Sequence, residues 1–162
     1  MGRSSSVLLL AVLLFLSHAT HGKDIVTSTC AIQDNPQAFK GAVVVLKVIL
    51  EPTAHNIVLY EEKCPLSHLS WDFLSDDPDD PSLQRLIKET YRADNHNIHH
   101  PDAPTRAVVA QVTGKIILLS PYPGEPLAPY ILPERAQIFG VRPVRLWSDF
   151  LSAEFRKWEK EK

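Results

Sequence analysis

The order of the predicted elements, three strands, one helix and two further strands, indicates a mainly β protein built as a five-stranded barrel similar to the OB fold. Short connections let the first three strands pair as an antiparallel meander. A helix between the third and fourth strands is placed to cover an open end of the barrel. Gly114, within a long fourth strand, favours the strong local bending that closure of five strands requires. An open α+β sheet with the same element order is the alternative.

The chain begins with a segment typical of a signal peptide. Arg3 precedes an unbroken apolar run over 7–16, which is shorter than the roughly 20 residues that a membrane-spanning helix needs. Small residues near Ala19 and Gly22 suit cleavage. We therefore predict removal of residues 1–22 and a secreted or periplasmic protein without stable membrane insertion.

The mature chain is predicted to consist of one barrel domain over 23–147 and a charged tail over 148–162. The formal net charge of the whole chain is −2, which gives no long-range attraction to phosphates, so we expect no nucleic-acid partner. Cys30 and Cys64 are the two cysteines of the chain. In an exported protein such a pair predicts a structural disulfide.

The first strand comes after a short helical turn. Asn35 suits an N-cap, Pro36 the first helical position and Gly41 the exit, so one turn is predicted between them. The next stretch, 42–50, is rich in β-branched residues and predicts a buried strand.

Two more strands and the helix come next. Residues 55–62 and 67–74 predict the second and third strands. The helix is predicted over 81–92, because Asp80 suits its N-cap and Pro81 its first position. Its inward face is predicted from apolar residues at helical spacing: Leu83, Leu86, Ile87 and Tyr91.

The later part of the chain alternates loops and strands. The stretch 94–104, rich in asparagine, histidine and proline, is predicted to be a loop, and 106–119 a long strand. Five prolines predict a loop over 120–133, before a last strand over 134–144. The tail is predicted to be a helix whose apolar stripe packs on the barrel: Leu151, Phe155 and Trp158.

The stretch from the first to the second cysteine resembles the start of small exported bacterial proteins that have an OB-like barrel and no settled function. In that family a cysteine precedes a Pro-x-x-Phe-x-Gly turn, and a second cysteine comes after strand 2; the matching residues are Cys30, Pro36, Phe39, Gly41 and Cys64. The segment VTGKI at 112–116 resembles the fourth strand of the family. The resemblance covers roughly 29–147. It implies the barrel, export and a disulfide, and it brings no catalytic residues.

Three histidines, His96, His99 and His100, are the candidate metal ligands. On a helix, a pair three or four positions apart shares a face and can bind zinc or copper. In a loop, the sequence supplies no partners that would orient the imidazoles. We therefore expect a solvated loop and no cofactor, with metal binding as the alternative function.

The predicted function is binding without catalysis. The sequence lacks the signatures of serine hydrolases, zinc peptidases and P-loop enzymes, although a hydrolase with a dispersed site is a further alternative. Tyr122 and Tyr130 of the proline-rich stretch, together with Trp71, are candidate aromatic contacts for a partner. We expect an exported module that binds a protein, a peptide or a glycan.

Overall fold

The computed structural model describes most of the predicted domain, over residues 24–53, 56–71, 78–100, 102–120 and 123–144. The predicted leader, the predicted tail and Tyr122 lie outside these residues.

Within the described residues, five strands close into a barrel. Their bounds are Val43–Pro52 (β2), Ile57–Tyr60 (β3), Leu69–Trp71 (β4), Arg106–Leu119 (β5) and Ala128–Pro143 (β6). The β2–β3–β4 meander is antiparallel, β4 pairs with β6 in parallel, and β5 pairs antiparallel with both β6 and β2. A short strand, β1 (Ile25–Val26), adds to β2 in parallel. The predicted five-stranded barrel is confirmed, and the open sheet is not observed.

Three helices belong to the described residues: α1 (Thr29–Asp34), α2 (Pro36–Phe39) and α3 (Pro81–His99). The turn predicted from Asn35 and Pro36 is α2. The helix α1 was not predicted; the Ser28 side chain caps it by accepting a hydrogen bond from the Ala31 amide at 3.2 Å. Cys30 of α1 is disulfide-bonded to Cys64 in the β3–β4 connection, with Cα atoms 6.0 Å apart, so the predicted disulfide is confirmed.

The core fills the inside of the barrel. Alternate residues of β2 point inward, as the period of a strand requires, and so do residues of the other strands. The helices add apolar side chains to the same core: Ile32 from α1, and Leu83, Leu86 and Ala93 from α3. The buried face of α3 therefore differs slightly from the prediction, because Tyr91 is 49% exposed.

The helix α3 continues beyond its predicted end at 92 as far as His99, so the loop expected from 94 onward is wrong up to that residue. Asn97 explains the difference. Its side-chain amide donates to the Arg106 carbonyl at 2.8 Å, and its side-chain oxygen accepts from the Arg106 amide at 2.9 Å. An asparagine that is typical of loops thus fastens the end of α3 to the start of β5. This tertiary contact outweighs the weak helix propensity of the stretch.

The strand β6 begins at Ala128, so the predicted loop over 120–133 is wrong for its last six residues. Proline weakens a strand because it lacks a backbone N–H. Here the fully buried Ile131 fixes the strand on the core, and the ladder register shifts next to Pro133.

The register shift lies opposite Gly114, where the sequence predicted strong local bending, and it is a β-bulge. The extra residue of the bulge is on β6 rather than on β5, because Thr113 faces Arg135 while Gly114 faces Pro133. A Cβ atom at Gly114 would lie 2.5 Å from the Leu132 carbonyl oxygen and 2.8 Å from the Pro133 Cα. Glycine is therefore needed at this position to let β6 approach β5.

Candidate binding groove on the outer face of the barrel

A second apolar cluster lies on the outside of the barrel, and we call it the outer cluster. It consists of Ile49, Val58, Tyr60, Ala107 and Val109. Ile49 pairs with Tyr60 on one side and with Val109 on the other, so these three side chains form a row across β3, β2 and β5. Their neighbours along each strand point into the core, which places the row on the opposite face of the sheet.

A bulge in β6 presents an aromatic residue beside this row. Ile138 faces Ala110 and Gly140 faces Val109, so Phe139 is the extra residue between them. A bulge bends the strand and re-aims its side chains. Gly140 adopts a φ of 153°, a conformation that favours glycine. Phe139 consequently stands 49% exposed, with Val141 at 43% on the same strand.

These residues line a groove of about 330 Å³, which we call the outer groove: Lys47, Val109, Phe139, Gly140, Val141 and Arg142. A depression of about 300 Å³ continues it over β2 and β3 and reaches Tyr60, Glu61, Glu62 and Lys63. The two share Lys47, Val109 and Arg142. Together they form a shallow channel with an apolar floor and charged walls.

Two cations define the electrostatics of the outer groove. The Lys47 ammonium nitrogen lies 5.2 Å from the centroid of the Phe139 ring, within range of a cation–π interaction. Arg142 lies 3.7 Å from a carboxylate oxygen of Glu62, and both side chains are more than half exposed. Such an exposed pair is weak, so the guanidinium can exchange its partner for an incoming carboxylate.

The acidic residues nearby are already engaged. Glu61 accepts a hydrogen bond from the Thr29 amide at 2.8 Å and forms an ion pair with Lys63 at 2.9 Å. Lys47, in contrast, makes no ion pair within the described part of the chain. The outer groove therefore offers an aromatic ring and cationic side chains to a ligand.

The candidate metal ligands lie at the end of α3, where they do not form a three-ligand arrangement. His96 and His100 are one helical turn apart, and their ring centroids are 4.7 Å from each other. His99 is exposed. Over the described ranges, no group of three or more His, Cys, Asp or Glu side chains is placed to hold a metal ion. The structure thus brings two of the three predicted ligands together.

His96 sits in an unusual environment. Its Nε2 atom is buried and has no hydrogen-bond partner among the described residues. Burial lowers the pKa of His96, and the positive charges of Arg106 and His100 lower it further. The neutral ring is therefore favoured in the folded protein.

The predicted aromatic contacts fall in different places. Trp71 is 3% exposed and belongs to the core, on the opposite face of the sheet from the outer groove. Tyr130 is partly buried in β6, where it pairs with Ser70 of β4 and Ile117 of β5. Tyr122 is outside the described residues.

The residues of the outer groove were missed by the sequence analysis. One local signal points to them: the sequence Ile-Phe-Gly-Val at 138–141 puts a glycine inside a strand, which often marks a bulge. Lys47 and Arg142 carry no such signal, because only the pairing of β2, β5 and β6 brings them to one groove.

The fold and the groove define a disulfide-linked, closed β-barrel with a long helix packed on its core. In comparisons with known proteins, no family model matches the chain, and no curated protein or solved structure is significantly similar to it. Within the described residues, no helix is both long and apolar enough to cross a bilayer.

Proposed function

We propose that this protein is an exported binding module that takes up a peptide segment of a partner protein in the outer groove. Phe139 is the observation that carries the proposal: a bulge holds this ring half exposed, beside a lysine that has no ion pair among the described residues. Large aromatic side chains in a pocket are frequent anchors of protein interfaces. The Cys30–Cys64 disulfide supports export, because such bonds persist in oxidising compartments.

The chemistry of the groove selects the kind of peptide. The apolar floor of Val109, Phe139 and Val141 favours an aromatic or branched aliphatic side chain. Lys47 and Arg142 at the walls favour a carboxylate next to it. We therefore expect a short acidic and apolar segment, and we expect basic peptides to be rejected.

A displayed library of random peptides tests this function with the disulfide-linked protein as bait. The expected result is enrichment of sequences that combine an aromatic or aliphatic residue with Asp or Glu. Binding of the enriched peptides should be lost in the variant Lys47→Glu/Phe139→Ala. The matched control is Lys88→Glu, an exposed position on α3 that changes the charge in the same way. Enrichment of basic peptides, or binding that survives the loss of Phe139, would contradict the proposal.

A glycan array, probed in parallel, separates the other kind of ligand. Sugars stack on aromatic rings but do not need a cation, so glycan binding should depend on Phe139 and not on Lys47. That outcome would replace the peptide with a glycan as the ligand of the outer groove.

A further inference from the structure

The outer cluster is buried although it lies on the outside of the barrel. Tyr60 is 0% exposed, Ile49 3% and Val109 6%. The core cannot cover these side chains, because it lies on the other face of the sheet. Among the described residues, Val144 is the partly buried apolar residue that packs on the cluster. A single valine side chain covers little of five residues on three strands, and Lys47, Glu62 and Arg142 line a depression beside them without closing it. We therefore expect a further cover.

The described chain ends beside this cluster. The Val144 amide donates to the Thr105 carbonyl at 3.0 Å, two residues before Ala107 of the cluster. Residues 145–162 therefore start at its edge. As a helix, a segment of this length would extend about 27 Å, at about 1.5 Å per residue. The row across three strands is only about 10 Å wide, at about 4.8 Å between strands.

The sequence of that segment complements the cluster. Four of its apolar residues recur at spacings of four, four and three, which places them on one face of a helix: Trp147, Leu151, Phe155 and Trp158. Lysine, arginine and glutamate occupy most positions between and after the last three of them. An amphipathic segment of this kind gains stability only when its apolar face is covered.

We propose that residues 145–162 dock on the outer cluster of the same chain through the stripe that contains Leu151, Phe155 and Trp158. The docked segment covers Tyr60 and Ile49. Phe139 and Val141 remain open to a ligand. This contact is distinct from the proposed peptide contact, which centres on Phe139, although Val109 borders both surfaces.

Photo-crosslinking in the full chain tests the contact directly. Phe155 is replaced by p-benzoylphenylalanine in the disulfide-linked protein, and the links in the monomeric and the dimeric products are mapped separately by mass spectrometry. The expected links join residue 155 to peptides that contain Ile49, Tyr60 or Val109. Links to other parts of the barrel, or links formed only between two chains, would overturn the proposal; the second result would make a second copy the occupant.

Two variants of the full chain test the same contact through exposure of the cluster. Leu151→Asp/Phe155→Asp should raise the fluorescence of a hydrophobic dye several-fold, because the cluster loses its cover. Ala153→Asp/Lys157→Gln lowers the net charge by the same two units at positions on the opposite helical face and should leave the dye signal unchanged.

A double-mutant cycle on the free energy of unfolding tests the same docking contact without relying on dye binding. Val109→Ala should destabilise the unsubstituted chain more than it destabilises the Leu151→Asp/Phe155→Asp variant. Equal losses in the two backgrounds would show that the tail does not touch the cluster and would refute the docking.

Discussion

The two faces of β2 differ in residue type and in burial. On the inner face, Val44, Leu46 and Val48 are at most 1% exposed and pack against the other strands and α3. On the outer face, Lys47 is exposed while Ile49, two residues along, is 3% exposed. The inner face is uniformly apolar because closure of the barrel leaves it no water. The outer face mixes buried apolar and charged residues, which indicates a surface shaped by contacts from outside.

This difference predicts where substitutions should affect stability and where they should affect the proposed binding. Inner positions are constrained by packing, since a closed barrel of five strands has room for little beyond its own side chains. Phe139, which the bulge places beside Val109 on the outer face, is free of that constraint, yet it is a large apolar residue that is 49% exposed. Substitutions should therefore affect folding when they fall inside, and binding when they fall at exposed outer positions.

Removal of the disulfide should have the largest effect on the stability of the fold. Cys30–Cys64 ties α1 and its buried Ile32 to the β3–β4 connection, across a sequence separation of 34. Replacing both cysteines by serine should lower the free energy of unfolding by about 4 kcal/mol, from the entropy that the unfolded chain regains. Urea unfolding followed by circular dichroism measures the change. An unchanged transition midpoint would mean that α1 is held by packing alone.

A pair of alanine substitutions compares the two faces directly. Leu46→Ala, at a fully buried inner position, should cost about 3 kcal/mol through lost burial and a cavity. Phe139→Ala, at an outer position that is 49% exposed, should cost less than about 1 kcal/mol and should instead abolish peptide binding. Urea denaturation and binding titrations measure both effects. Equal costs in stability would contradict the assignment of Phe139 to a binding surface.

A substitution at Gly114 tests how closely the backbone of β6 approaches β5. Gly114→Ala should lower the free energy of unfolding by about 2 kcal/mol, because the new methyl group collides with the backbone of Leu132 and Pro133. Trimming the nearby side chain with Ile131→Ala should not rescue stability, since the clash is with main-chain atoms. Recovery in the double variant, measured by thermal unfolding, would place the strain in the side chain instead.

The inner face explains why the fold could be predicted. Runs of β-branched residues, the capping residues before α3 and the glycine in β5 are local signals that each specify one element. The errors occurred where distant contacts decide the structure. Asn97 extends α3 because it meets Arg106, and β6 tolerates Pro129 and Pro133 because Ile131 is buried in the core.

The outer site was much less predictable. Lys47 and Phe139 are far apart in sequence, and a strand pairing together with a bulge brings them into contact. Trp71 was predicted as a binding residue because aromatic residues are frequent in interfaces, but it lies on the inner face. Residue type alone does not reveal which face of a strand a side chain occupies, because a register shift of one residue moves the side chain to the other face.

The smallest predicted effect concerns His96, whose ring nitrogen is buried at the end of α3. Burial and the charges of Arg106 and His100 lower its pKa in the folded state, so the unfolded chain binds the proton first as the pH falls. The free energy of unfolding should therefore decrease below about pH 6.5, the ordinary histidine pKa, and level off once the folded protein is also protonated. His96→Gln should flatten this part of the profile.

His68 could contribute to the same part of the profile, because burial lowers its pKa as well. Its hydrogen bond with the Leu66 carbonyl acts in the opposite direction and raises the pKa. Unfolding profiles between about pH 5 and pH 8 for His96→Gln, His68→Gln and the double variant separate the two residues. Burial raises the pKa of Asp94, so its contribution to the profile is removed by comparing each variant with the unsubstituted chain, in which Asp94 is the same. NMR titration of the His96 ring should show protonation below the ordinary pKa. A normal or raised pKa would mean that the His96 ring at the end of α3 is exposed to solvent.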